Sequence, residues 1–162
     1  RNHPFVDGNK RAAFAALVMG WSWWQVRRGR WAHVDASGRD ERNALNRGLL
    51  AMIVVGALLA WRALPQSDLF IALSFAAAIV ATAILSARVC KLSLHFAFAV
   101  YAAGLLWPLG KAAVAAGFAF SALVAWSRLQ LSRHRPRDLL VGGLVGLLAA
   151  RLYWATIAIA HG

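Results

Sequence analysis

The sequence predicts an all-α fold, a polytopic helical bundle that crosses a membrane about six times. Of its 162 residues, 60% are hydrophobic and 15% are charged, whereas a soluble domain is typically about 45–50% apolar and about 25% charged. The mean hydropathy is +0.57, and no stretch alternates polar and apolar residues for long enough to predict a strand. These values disfavour a soluble globular enzyme and exclude a disordered chain.

Six intervals of low charge, one after another, predict the helices. A helix that spans the bilayer needs about 20 mostly apolar residues. Four intervals reach that length, and the two shortest, 12–26 and 112–127, need flanking residues to complete a span. In chain order the intervals are 12–26, 48–67, 69–87, 92–110, 112–127 and 139–160.

Prolines and basic loops mark where the chain turns. Pro65 and Pro108 predict turns on one face of the membrane. The loops Arg27–Arg47, Arg88–Lys91 and Arg128–Asp138 then share the other face and hold 12 of the 18 basic residues. The positive-inside rule predicts that this face is cytoplasmic. The rule loses force where the arginines bind phosphate instead.

Residues at the edges of the intervals support membrane helices. Arg62 and Arg151 lie beside tryptophan or tyrosine in the sequence. This is expected of cations whose charged ends extend to the aromatic belt at the membrane surface. Gly142 and Gly146 form a pair of small residues that lets two helices approach closely, within one chain or between two.

The net charge of +12 indicates that the partners of this membrane protein are negatively charged. Anionic lipid headgroups or a phosphate-bearing substrate are favoured over nucleic acid. A single cysteine, Cys90, rules out an internal disulfide. We expect an integral protein of the bacterial inner (cytoplasmic) membrane, and a chain beginning with Arg1 is expected to be a fragment or a processed product.

The loop after the fifth interval carries a reactive combination of side chains. His134 and Asp138 are four residues apart, so on a helix they share a face. A carboxylate there can hold one imidazole nitrogen and leave the other as a nucleophile. Arg128 adds a planar set of donors suited to phosphate oxygens.

The loop before the fourth interval supplies complementary groups at the same face. Lys91 is a cation, Ser93 a hydroxyl donor and His95 a second imidazole. Together the two loops suit phosphoryl transfer through a phosphohistidine. His134 would attack phosphorus, Asp138 would orient it, and His95 would protonate the leaving oxygen and then activate water. Neither a metal nor another cofactor is expected.

These residues resemble a known family. Ser127-Arg128, five residues, His134, three residues and Asp138 match the third signature of the type 2 phosphatidic acid phosphatase superfamily without a gap. The resemblance covers roughly residues 21–150 and implies a phosphatase or diphosphatase acting on a lipid or polyprenyl phosphate. It also implies that Ser127, with Arg128, binds phosphate.

The other two signatures of that superfamily are degenerate or absent. The second, Pro-Ser-Gly-His, appears as Leu92-Ser93-Leu94-His95 and keeps only the serine and histidine. The first, a lysine, six residues and then Arg-Pro, is missing. Its place in the topology falls to the loop 30–42, where Arg39 or Arg42 is a candidate phosphate ligand.

Residues 1–11 carry a motif of a different kind. His3-Pro4-Phe5-Val6-Asp7-Gly8-Asn9-Lys10-Arg11 resembles the core motif of the Fic/Doc family. That resemblance implies nucleotidyl or phosphoryl transfer, with the histidine as base, the acidic residue on a metal and the Gly-Asn-Lys turn as an anion site. The family's fold needs helices upstream, and only two residues precede the motif.

The sequence thus predicts a motif remnant or chain edge at 1–11 and a membrane-embedded phosphatase domain at 12–162. Three origins remain for the first segment: the remnant of a fused or truncated Fic domain, a cropped chain, or two joined genes. We favour a nonfunctional remnant. Two alternatives to the phosphatase stay open. One is a fragment of a Fic/Doc-type transferase, and the other is a catalytically degenerate membrane protein that binds anionic lipids.

Overall fold

The structure of this chain is a computed structural model, and it describes residues 20, 23–29, 39–64, 67–132 and 134–161. The described residues are helical, with no strand among them. The elements are α1 (Arg39–Ala63), α2 (Asp68–Ser86), α3 (Leu94–Leu105), a 3₁₀-helix (Trp107–Leu109), α4 (Lys111–Gln130) and α5 (Pro136–His161). The chain divides into an N-terminal unit, Arg1–Leu49, and a C-terminal unit, Leu50–Gly162.

Local sequence signals set where several helices begin. The Ser67 side chain accepts a hydrogen bond from the Phe70 amide at 3.2 Å and caps α2. Helix α5 begins at Pro136, whose fixed φ suits the first helical position. Asp138 lies in the first turn of α5, where a carboxylate complements the positive end of the helix dipole.

Four of the described helices are long and apolar enough to cross a membrane: α1 from Asp40, α2, α4 and α5. Only 6–22% of the residues in their most apolar stretches are buried. Large side chains such as Leu144 and Leu148 therefore face outward, and an apolar exterior of this extent is typical of a surface that contacts lipid. The prediction of an all-helical fold is confirmed for the described residues, and four of their helices are compatible with membrane spans.

The predicted count of six spans is not confirmed. Most of the interval 12–26 lies outside the described residues. The interval 92–110 forms only the 12-residue helix α3, which is about 18 Å long against a hydrocarbon core of about 30 Å. The reason is local: Ser93 is extended, and Pro108 turns the far end into the 3₁₀-helix, since proline is not tolerated inside an α-helix.

Helix α3 packs between α4 and α5, and α2 packs on α5. Glycines at the α3–α5 contact allow the backbones to meet. A Cβ on Gly142 would lie 2.8 Å from the Ser93 carbonyl oxygen, and a Cβ on Gly146 would collide with the Ala97 carbonyl. The pair predicted from the sequence therefore makes its close approach within one chain.

Side-chain hydrogen bonds to backbone carbonyls join the same helices. The Tyr101 hydroxyl donates to the Ala72 carbonyl at 3.0 Å, and the Trp154 indole donates to the Gly104 carbonyl at 2.9 Å. Both bonds lie beside the apolar cluster that includes Ile79, Ala97 and Ala150. A carbonyl oxygen has two lone pairs, so it can accept a side-chain hydrogen bond and keep its hydrogen bond within the helix. The two bonds therefore link neighbouring helices without unwinding either one.

Replacing Gly146 with alanine should destabilise the protein. The added Cβ meets the backbone of Ala97, which cannot rotate away, and overpacking of this kind costs about 1–3 kcal/mol. The measurement is thermal unfolding of detergent-purified protein followed by circular dichroism. Gly56→Ala is the control, because its Cβ would sit 3.6 Å from Leu73 in ordinary contact. Equal stability of the two variants would contradict the close approach.

Candidate functional site

Two loops of the C-terminal unit meet at one end of the helices. The segment before α3 ends at Ser93, whose backbone N–H donates to the Asp138 carbonyl at 3.2 Å in the first turn of α5. The absence of a side chain at Gly142 permits this contact, since a Cβ there would press on the Ser93 backbone. The two loops that the sequence predicts on one membrane face are therefore in direct contact.

His134 lies in the bend ahead of α5, not on the helix. The expectation that His134 and Asp138 share a helical face is therefore wrong. Helix α5 starts at Pro136, and the residue before a proline is disfavoured in the α conformation, so the helix cannot extend back to His134.

The Asp138 carboxylate is buried and already bonded. Its side chain is 4% exposed, and it accepts hydrogen bonds from the Arg135 backbone N–H at 3.1 Å and from the Cys90 thiol at 3.5 Å. Arg137 Nε lies 3.6 Å away. The Asp138 carboxylate therefore caps α5 instead of bonding the His134 imidazole as predicted. It can do so because the first backbone amides of a helix lack partners within the helix.

The His134 imidazole has its pKa lowered from the ordinary value of 6.5. Burial is the main cause, followed by the positive charge of Lys91 and, more weakly, that of Arg128; a hydrogen bond to the Lys91 backbone and the charge of Asp138 act in the opposite direction. The ring is therefore neutral at pH 7 and keeps a nitrogen lone pair, as a nucleophile requires.

Three of the predicted site residues hold buried polar atoms without a hydrogen-bond partner: Ser93 Oγ, Arg128 Nε and His134 Nδ1. In the part of the chain that the structure describes, the only other such side-chain atom is Gln25 Oε1, in the N-terminal unit. Buried polar groups are nearly always paired, and each exception calls for an explanation. Two hydrogen-bond donors and an imidazole nitrogen at one end of a bundle are suited to a phosphate group.

A pocket of about 550 Å³ opens beside His134. Three of its lining side chains are cations and one is an anion, so the pocket favours a negatively charged ligand. Its lining residues are Lys91, Leu129, Ser132, His134, Arg135, Pro136, Arg137 and Asp138.

Other predicted residues of the C-terminal unit do not line this pocket. His95 is exposed in the first turn of α3, and Ser127 is exposed on α4. Ser93 is fully buried, and Arg128 is half-buried on α4. None of these four residues lines the pocket. Arg39 and Arg42 begin α1 and belong to the N-terminal unit. The Fic/Doc-like motif at 1–11 lies outside the described residues. Among those residues, no group of three or more His, Cys, Asp or Glu side chains could hold a metal ion.

Sequence reasoning missed Cys90 and Ser132. Cys90 contacts Asp138 from 48 positions away, and no local spacing signals such a contact. Ser132 lines the pocket and has a positive φ of 50°, which is uncommon for a residue with a side chain. It follows α4 directly, where a left-handed residue often ends a helix.

The lowered pKa of His134 can be measured by its reaction with diethyl pyrocarbonate, which modifies the neutral but not the protonated form of an imidazole. Labelling of His134, read by peptide mass spectrometry, should be half-maximal below pH 6.5, because protonation is lost as pH rises through the lowered pKa. Lys91→Gln should move the midpoint upward, since it removes a repelling charge. Lys111→Gln, at the far end of α4, should leave the midpoint unchanged. A midpoint above 6.5, or one indifferent to Lys91, would refute the assigned causes.

Cys90 should be slow to alkylate. Burial raises the pKa of its thiol, and the hydrogen bond and charge of Asp138 raise it further, while Arg137 opposes them. Since the thiolate is the reactive form, iodoacetamide should label Cys90 faster, at pH 8, in Asp138→Asn than in the wild type. Asp68→Asn is the control, because Asp68 starts α2 at the end remote from Cys90. Equal rates in the three proteins would show that Asp138 has no influence on the thiol.

The chain has no match among known proteins that would interpret this site. No family model, no curated protein and no solved structure matches it. The resemblances on Ser127–Asp138 and on His3–Arg11 therefore stay predictions, and the chemistry of the site is argued from its own geometry.

Proposed function

We propose that the chain is a membrane phosphatase that hydrolyses a lipid or polyprenyl phosphate or diphosphate through a phosphohistidine on His134. The observation that supports this most is the set of three unpartnered buried atoms, Ser93 Oγ, Arg128 Nε and His134 Nδ1. A phosphate group in the pocket at His134 would contact the cations Lys91, Arg135 and Arg137 that line it. It would bond the three buried atoms once their side chains move toward the pocket.

The first step transfers the phosphoryl group to the protein. The lone pair of the neutral His134 ring attacks phosphorus, and the bond from phosphorus to the leaving oxygen breaks. The leaving group departs as an alcohol after protonation, or as a lipid monophosphate when the substrate is a diphosphate. We assign the proton donor as a water molecule at the pocket, because His95, the donor expected from the sequence, does not line it.

The second step returns the histidine to its resting state. Water attacks the phosphorus of the phosphohistidine and gives one proton to solvent, which replaces the proton used in the first step. Inorganic phosphate leaves, and the electron pair of the broken phosphorus–nitrogen bond returns to nitrogen. Arg128, Ser93 and Lys91 offset the charge that spreads over the phosphoryl oxygens in both steps. The negative charge of buried Asp138 favours the cationic phosphoimidazole, since the same charge raises the pKa of His134.

The surroundings of the pocket support an amphiphilic substrate. The basic residues around His134 stand next to Leu129 and Leu131, which are exposed at the end of α4. The candidate spans carry apolar exteriors. A phosphate head can therefore meet the cations while its lipid tail stays among apolar side chains.

Phosphate release from a panel of lipid phosphates and diphosphates, measured on detergent-purified protein in EDTA, tests the proposal. His134→Ala should lower release by at least about a hundredfold, because it removes the nucleophile. Arg128→Lys should lower it by about a hundredfold, because the forked donors are lost although the charge remains. A ³²P-labelled substrate should leave an acid-labile label on His134.

The control for this assay is His161→Ala. His161 ends α5 and is exposed, with its imidazole 3.0 Å from Asp68, so its loss should leave release intact. No release from any lipid, or release that does not depend on His134, would refute the phosphatase.

One observation favours the catalytically degenerate alternative as a second candidate. The Asp138 carboxylate is engaged by Arg135 and Cys90, so it does not orient the imidazole by the hydrogen bond that catalytic histidines commonly receive. A protein of this kind would bind lipid phosphates in the same pocket and release no phosphate. The assay above therefore distinguishes the two candidates when lipid binding is measured alongside it.

A further inference from the structure

A short helical segment at residues 23–27, with Arg28 directly after it, precedes α1 and has two distinct faces. Trp23, Trp24, Arg27 and Arg28 are exposed, whereas Gln25 is buried. At about 100° per residue, the four exposed side chains fall within about 140° of one another, and Gln25 lies outside that sector. The exposed face therefore consists of two indoles and two guanidinium groups.

Each arginine on this face stacks on a tryptophan one turn earlier. The Arg27 guanidinium carbon lies 4.1 Å from the centroid of the Trp23 ring, and that of Arg28 lies 4.0 Å from the centroid of Trp24. Both distances are well inside the range of a cation–π interaction, and both pairs have the spacing at which helical side chains meet. Each guanidinium group is thus held against its own indole.

Stacking leaves the hydrogen-bond donors of each arginine available. A guanidinium is planar, and it contacts the indole with its face while its N–H groups point outward in the plane. Residues 23–29 contain no carboxylate that would compete for these donors. The paired arginines therefore form a preorganised surface for an anion with several oxygens, such as a phosphodiester.

We propose that Trp23, Trp24, Arg27 and Arg28 form a binding surface for the headgroups of anionic phospholipids. The indoles are 52% and 42% exposed, and exposed tryptophan is typical of the membrane–water interface. Eleven residues lie between Arg28 and Asp40, where the first candidate span begins, so the surface cannot lie more than about 40 Å from the start of that span. This inference does not depend on the proposed phosphatase activity.

Native mass spectrometry of the purified protein, titrated with phosphatidylglycerol or phosphatidylcholine of the same acyl chains, tests the surface. The wild type should prefer phosphatidylglycerol. Arg27→Gln/Arg28→Gln should lower that preference by about thirtyfold, as expected when two arginines at an anionic surface are neutralised. Trp23→Leu/Trp24→Leu keeps both charges and removes the stacking, and it should lower the preference by about fivefold.

The matched control is Arg47→Gln/Lys111→Gln, which removes the same charge. Both residues are exposed and, in the part of the chain that the structure describes, neither stacks on an aromatic ring. The control should keep the preference within about twofold of the wild type. An unchanged preference in the Arg27/Arg28 variant, or an equal loss in the control, would overturn the proposal. The proposal would also be overturned if a short DNA oligonucleotide bound through Arg27 and Arg28 while the preference for phosphatidylglycerol did not depend on these two residues.

Discussion

The contact between α5 and the start of α3 is the constraint on which the candidate site depends. Gly142 and Gly146 let the backbone of α5 approach Ser93 and Ala97 at distances that no side chain permits. That approach allows the Ser93 amide to reach the Asp138 carbonyl, and the bond ties the two basic loops together. Without it, Ser93 would not be tied to the connection between α4 and α5, which carries His134.

Burial then gives these polar groups their chemical character. His134 stays neutral because charging it costs solvation and because Lys91 and Arg128 repel a further positive charge. Asp138 acts on the ring through its field rather than through a hydrogen bond, since its oxygens hold the Arg135 amide and the Cys90 thiol. The same burial leaves three polar atoms without partners, and this unfavourable state is one that a bound phosphate would relieve.

Prediction from the sequence was accurate where the signal is local. Apolar runs bounded by charges predicted helices that the structure confirms, including α4, where flanking residues complete the short interval 112–127. Prediction was less accurate where a residue that ends a helix interrupts an apolar run. The interval 92–110 is as apolar as its neighbours, yet an extended Ser93 and Pro108 leave only α3. Helical spacing also misled at His134, because Pro136 starts the helix two residues later.

Amino-acid composition and charge spacing alone determine that the chain is helical and apolar on its outside, because these properties follow from each segment separately. The side-chain chemistry of two loops, and their resemblance to a phosphatase signature, single out Ser93, Arg128, His134 and Asp138 as residues of interest. Only the tertiary structure decides that Asp138 caps α5 and binds Cys90, and that burial and Lys91 lower the pKa of His134. Such effects depend on which loops pack together, and the distance between residues 90 and 138 along the chain carries no information about that contact.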